Sequence, residues 1–317
     1  MQPDVALYRL GPFVIGSEIP FPELDAQESA RPNVWIRIGR APERLQNVAA
    51  NESRWWASRD EYLLRVPGVA VFYVSQGREV TVEPAAGALT GDIRAYLLAP
   101  IFSCLCFQCG MYALHGSSVR VGDEVVSFLG DSGAGKSTLA ACLEQRGFPV
   151  VSDDICLLDP GSGGEGRPRV IPVAPALKLW RSALDHLGAL PERLPRVWSR
   201  EDKYRLRIGH SEERLPLREI VFLEWEEDGS ADVSFARVEG VQAVHRLMGY
   251  THFDYLMKAT GRQAESFLQS AAILRSVPAV ALRRPRDFSL LQRVTDEVVA
   301  HLAGPAGAGR DGAKSAL

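Results

Sequence analysis

Gly130-Asp131-Ser132-Gly133-Ala134-Gly135-Lys136-Ser137 fits the pattern G-x-x-x-x-G-K-[ST] in full. Each fixed position has a chemical reason. Glycines let the backbone curl so that successive N–H groups point inward at phosphate oxygens. A helix opening directly after the loop adds free N–H groups and a dipole that favour a bound anion. Lys136 can reach the β- and γ-phosphates as a point charge, and the Ser137 hydroxyl is a hard oxygen ligand for Mg²⁺. With Thr138 as the next helical residue, residues 130–138 imply binding of a nucleoside triphosphate, ATP with Mg²⁺.

A second group of polar residues follows. Asp153 and Asp154 close FPVVS, the apolar run that comes after the helix of the loop. Two strands joined by a helix run parallel, so their C-terminal ends share one sheet edge. That puts the carboxylates one to two strand spacings from the phosphates, roughly 5–10 Å. One can hold the metal or its water while the other accepts a proton from an attacking hydroxyl. Elsewhere, an Asp-Asp pair more often caps a strand or turn. His115, in ALHGS, is in range to pair with an aspartate and tune it, although a lone histidine is usually structural. Lys203 in DKYRLRI can supply a further cation to a transferring phosphoryl group, as can Arg205 or Arg207 on the same strand face. Solvated charges on a half-exposed strand explain these three equally well. Lys178 in ALKLWRSAL reads as a helix surface residue, with Leu177, Trp180 and Leu184 turned to the core. Glu224 ends the apolar run IVFL, as an acid that polarises water in an ATPase would, or simply as the end of a buried strand.

His115-Gly116, the loop GDSGAGKS and the following VVSDD resemble HPr kinase/phosphorylase and its relatives, over residues 113–156. More loosely, most of the chain is similar to the HPr-kinase-related proteins of peptide-modifying clusters, notably the lasso-peptide precursor kinases. SEIPFPEL, GDIRAYLLAP before LHGSS, and LKLW carry that wider likeness. It implies an α/β fold with a P-loop kinase core of the HPr kinase type, a mixed sheet flanked by helices, behind a small β-rich N-terminal module. It implies a serine hydroxyl as acceptor, on a peptide or protein. By the same resemblance Asp153 corresponds to the general base, Asp154 to its metal-linked partner and His115 to the histidine beside the base. The glycine- and arginine-containing stretch tied to phosphorolysis in the bifunctional enzymes has no counterpart, so neither phosphorolysis nor HPr as substrate follows. Two readings compete: a P-loop NTPase that couples hydrolysis to a partner's conformational change, and a nucleotide-sensing module. An HPr-type carrier-protein kinase is the nearest variant of the serine-kinase reading.

Several elements must position these groups. Residues 1–89 read as short β-segments (PNVWIRIG, GVAVFYVS) with Pro, Gly and Asn between them, a module suited to substrate recognition or to capping. The kinase domain is expected over 90–304. A helix starts near Thr90 and Asp92 and runs to about Cys109, kinked at Pro100. Its apolar stretch carries Arg94, Pro100, Gln108 and Gly110, which fits a buried helix better than a membrane span. A hairpin turning at Gly122-Asp123 leads into the strand EVVSFL and then the loop. A final helix is expected from Asp287 to about Leu302. GSGGEGRPR reads as an exposed loop, and residues 305–317 as a disordered tail.

The composition excludes several classes. With 36 Lys and Arg against 39 Asp and Glu, a formal net charge of -3 and no broad basic run, a nucleic-acid binder is disfavoured. The start has no charged region followed by an apolar one, and the five cysteines suit reduced thiols, so a cytoplasmic protein without a membrane partner is expected. A homo-oligomer is compatible with the sequence. Cys104, Cys106 and Cys109 lack the spacing of a metal cluster on a helix and read as small buried apolar residues.

Overall fold

The computed structural model describes residues 5–46, 48–159, 166–173, 176–209, 213–226 and 230–307. The expected tail therefore falls outside the described residues beyond 307, as does most of the glycine-rich loop, at 161–165. By contacts the chain forms two units. The first comprises Met1–Ala113, Arg196–Glu201 and His252–Ser266, and the second Leu114–Pro195, Asp202–Thr251 and Phe267–Leu317.

The first unit is built on eight strands: β1 (Ala6–Leu10), β2 (Phe13–Ser17), β3 (Val34–Ile38), β4 (Ala50–Glu52), β5 (Trp55–Ala57), β6 (Glu61–Val66), β7 (Ala70–Ser75) and β8 (Glu79–Pro84). They pair in the order β1-β2-β3-β8-β7-β6-β5-β4, parallel at β2–β3 and β3–β8 and antiparallel elsewhere. In β7, Ala70, Phe72 and Val74 are buried and their neighbours half-buried, the period-2 pattern of a strand with one face on a core.

The sequence places the domain boundary at 89/90, but the helical run Thr90–Gln108 goes with the first unit. Its apolar side chains find their partners there. Phe102 meets Phe13 edge-on at 5.9 Å and Tyr96 meets Phe72 at 5.6 Å. Mean hydropathy over this run is 1.2, and 67% of it is buried, so it is a core helix by its packing. Pro100 does not break it. The run is α1 (Thr90–Tyr96), a π-helical stretch (Leu97–Ile101) containing the proline, and α2 (Phe102–Gln108). A wider turn accommodates the ring and the missing N–H. Leu89 occupies the N-cap without a side-chain cap, and Asp92 accepts from the backbone N–H and hydroxyl of Ser199.

In the second unit β9 (Tyr112–Val121) and β10 (Glu124–Leu129) form the expected hairpin around Gly122, whose φ of 61° suits a tight turn. The loop follows β10, then α3 (Lys136–Gln145) and β11 (Val150–Ser152). β10 and β11 are each antiparallel to β9, hence parallel to one another with β9 between them. After them come β12 (Ile155–Asp159), β13 (Arg169–Ile171), β14 (Ala176–Trp180), α4 (Arg181–His186), β15 (Lys203–Arg207), β16 (Leu215–Trp225) and β17 (Ser234–Arg237). The remaining elements are α5 (Gly240–Gly249), α6 (Asp254–Ala259), α7 (Gln263–Ser276), β18 (Ala279–Arg284) and α8 (Leu291–Leu302). β16 runs parallel to both β10 and β18, and β17 adds an antiparallel edge. Strands buried on both faces read as continuous apolar runs, as VVSFL and EIVFL do. Leu139 and Leu143 of α3, Val221 and Leu223 of β16, Val280 and Leu282 of β18 and Val298 of α8 belong to one buried cluster.

β14 and β15 form a separate antiparallel ribbon. The sequence reads ALKLWRSAL, 176–184, as helical, and the helix is confined to α4. Leu177 and Leu179 are buried while Lys178 and Trp180 point the other way, so the strand period governs this segment. The C-terminal helix matches expectation closely. Asp287 accepts from the Ser289 N–H and opens a 3₁₀ turn that leads into α8.

Candidate functional site

The loop at 130–137 leaves β10 level with the C-terminal ends of β16 and β18. A side chain at Gly130 would meet Ala134 Cβ at 3.0 Å and Leu223 O at 3.3 Å, so the turn closes only on glycine. Gly133 and Gly135 hold φ of 84° and 78°, in the left-handed region that other residues resist. Lys136 is buried, and its Nζ donates to the Gly130 and Asp131 carbonyls at 2.8 and 2.9 Å. Burial pulls its pKa down to about 8 despite Asp153 and Asp154 nearby. An ammonium held only by carbonyls is ready to exchange one of them for a phosphate oxygen.

The two aspartates occupy different environments. Asp153 is buried: Ser117 Oγ donates to its Oδ1 at 2.6 Å and the Lys178 backbone N–H to its Oδ2 at 2.7 Å. Burial raises its pKa, while these donors and the nearby Ser137 hydroxyl pull it the other way. Asp154 sits at φ 70°, an uncommon conformation for a residue with a Cβ and one that accumulates at functional sites. Its Oδ2 accepts from Lys178 Nζ at 2.6 Å, and His115 Nε2 lies 4.0 Å from Oδ1, beyond hydrogen-bond range. Burial, and then the Lys136 charge, bring the His115 pKa down to about 4, so the ring is neutral at pH 7. The His115 backbone is fixed by its N–H donating to Tyr250 O at 2.7 Å.

A cavity of about 280 Å³ joins these groups. Its wall includes Ser132, Gly133, Gly135, Lys136, Ser137 and Thr138 on the loop and helix, with His115, Asp154, Lys178 and Lys203. Trp180, Phe288, Leu291 and Val294 add apolar surface to the wall. Asp153 is not on the wall. Lys203 is, and its Nζ also lies 5.6 Å from the Trp180 ring centroid, in cation–π range. Glu224 is occupied otherwise: Arg246 and Arg283 engage its two carboxylate oxygens.

The cavity wall carries the loop residues, His115, Asp154 and Lys203 named from the sequence, and among the lining residues not assigned there are Lys178, Trp225 and Arg284. Lys178 is hidden by the helical reading, although the alternation in ALKLW signals it. Trp225 and Arg284 carry no local signal, because only the sheet register sets them beside the loop.

Ser137 and the aspartates are hard oxygen donors of the kind Mg²⁺ takes, and the loop N–H groups are of the kind a polyphosphate takes, so the residues fit Mg·ATP. Among the described residues, no group of three His, Cys, Asp or Glu forms an all-protein metal cage. Mg²⁺ that is shared with a substrate's phosphates needs none.

No protein-family model matches the chain, and no curated protein matches it in sequence. Among solved structures the chain is similar to the Hpr(Ser) kinase/phosphatase from Coxiella burnetii, at 12% identity and a TM-score of 0.31, over 60% of this chain and 89% of that one. At that distance the site must be read from its own residues.

Proposed function

We propose that this protein is a Mg-dependent phosphotransferase that moves the γ-phosphate of ATP to a serine hydroxyl of a peptide or protein. One observation carries the reading: the glycine-rich loop and the cluster of Asp154, His115 and Lys178 share a single cavity. Nucleotide binding alone needs no carboxylate there, whereas hydroxyl phosphorylation does.

In this reading the N–H groups of residues 133–138 and Lys136 hold the phosphates, and Lys203 lies within the same cavity to meet developing negative charge. Ser137, backed by the buried Asp153, would hold Mg²⁺, which would neutralise charge on the phosphoryl oxygens. Asp154 faces the cavity and takes the acceptor's proton. Lys178 is ion-paired with that carboxylate, and neutral His115 beside it does not compete for the proton. The sequence assigns the base to Asp153 and the metal-linked role to Asp154. The burial of Asp153 away from the cavity, with Asp154 on its wall, favours the opposite division. The acceptor belongs to the same proposal: a ribosomal precursor peptide of the lasso type, by the resemblance of the sequence.

An NTPase is the second reading, and the ion pairs of Glu224 argue against its taking the water-polarising role. Incubation with γ-labelled ATP and a serine-containing precursor peptide tests both. Label on the peptide is expected, label released only as free phosphate points to the NTPase, and no turnover of bound nucleotide rejects catalysis.

A further inference from the structure

Arg284 is the last residue of β18, and the sheet register sets it directly beside Trp225 at the end of β16. Its guanidinium lies 4.2 Å from the Trp225 ring centroid, and Nη2 donates to the Ala134 carbonyl of the loop. A Cβ at Gly135 would come within 3.4 Å of the same Nη2. The side chain is 5% exposed and lines the cavity, yet among the described residues no carboxylate pairs with it, and its Nε is buried without an acceptor.

A buried guanidinium without an anion is expensive, and proteins keep one where a ligand supplies the missing charge. Neither carboxylate on the cavity wall is available. Asp154 is held by Lys178, and Asp287 caps the Ser289 N–H. The wall is therefore short of negative charge, as a site for a polyphosphate should be. Burial alone draws the Arg284 pKa down to about 10, which still leaves it charged at pH 7.

We propose that Arg284 is a second cationic ligand of the nucleotide's phosphates, supplied from the end of β18 across the glycine-rich loop from its own chain. It rests on the nucleotide reading above and adds a binding residue that neither the loop pattern nor the aspartate pair contains. Arginine suits the position better than lysine. A planar fork can keep Ala134 O on one arm, stack on Trp225 and still present its other N–H groups to phosphate oxygens.

Calorimetric titration of wild type, Arg284→Met and Arg284→Lys with ATP, tripolyphosphate and pyrophosphate tests it, with a thermal melt of each unliganded protein. Arg284→Met should bind tripolyphosphate and ATP about ten- to hundredfold more weakly, the range of a lost charge-assisted hydrogen bond. The loss should be smaller for pyrophosphate, and Arg284→Lys should recover part of it. The unliganded Met variant should melt no lower than wild type, since a buried unpaired charge has gone. Equal tripolyphosphate binding by Arg284→Met and wild type overturns the proposal. So does a lowered melting temperature with every ligand weakened by the same factor, the mark of an arginine that only builds the loop. If the wild type binds neither ATP nor tripolyphosphate, the nucleotide reading fails and this proposal falls with it.

Discussion

Asp154→Asn separates the two carboxylates most sharply. The substitution leaves Lys178 Nζ facing a neutral amide at a site where both side chains are about one-fifth exposed. Breaking a fully buried pair costs about 3–5 kcal/mol and an exposed one about 0–1 kcal/mol, so an intermediate loss of about 1–3 kcal/mol is expected. The variant melts several degrees lower but remains folded at 25 °C. The rate falls further than that. Loss of a positioned base removes about 10²- to 10⁴-fold, or about 3–5 kcal/mol of barrier, while ATP affinity holds within about threefold. Asp153→Asn behaves differently. Its amide can accept from only one of the Ser117 and Lys178 donors, which costs about 1–3 kcal/mol of stability. In the proposed division Asp153 backs Ser137 at the metal, so the rate of this variant depends on magnesium and excess Mg²⁺ restores part of it. Single-turnover transfer from γ-labelled ATP, run across a magnesium series with a melt of each variant, reads all of these quantities. Wild-type transfer by Asp154→Asn, together with an Asp153→Asn variant dead at every magnesium concentration, would return the base to Asp153 and refute the reasoning.

Further expectations follow from individual contacts. Lys136→Met should lose at least about tenfold in ATP affinity, yet its unliganded melting temperature should hold or rise, because the charged ammonium is already disfavoured by burial. Calorimetry and a thermal melt check this, and a variant that fails to fold contradicts it. Gly116→Ala should cost about 1–3 kcal/mol, since its Cβ would stand 2.4 Å from Leu129 Cδ2 and 2.9 Å from Phe128 O. Denaturant unfolding measures that loss, and an unchanged midpoint would show that the β9–β10 hairpin yields. The His115 pKa of about 4 in the folded protein lies below its usual 6.5, so the unfolded chain binds a proton that the folded one refuses. The stabilisation from keeping His115 neutral is therefore present above pH 6.5 and lost as the pH falls toward 4. His115→Gln should flatten this part of the stability profile, and parallel losses in variant and wild type would clear His115 of the effect.

Much of this arrangement is legible from residue order alone, because its causes are local. The run GDSGAGKS dictates its own curl through glycine conformations and starts its own helix, so the loop needs only the strand before it and the helix after it. The apolar run VVSFL and the alternation of AVFYVS likewise declare a strand buried on both faces and one buried on a single face. Tertiary packing decided what depends on partners distant in sequence. The helical run Thr90–Gln108 belongs with the first unit because Phe13 and Phe72 receive its aromatic faces. ALKLW becomes a strand because DKYRLRI lies alongside to take its backbone hydrogen bonds, and this brings Lys178 to Asp154. Which aspartate faces the cavity is likewise invisible in the sequence: only the contacts of Ser117 and the Lys178 N–H show which one is buried. The sequence by itself determines a glycine-rich loop with the spacing that a triphosphate needs. The sheet register, which places Asp154, Lys178 and Arg284 around it, is set by long-range strand pairing that no short motif encodes.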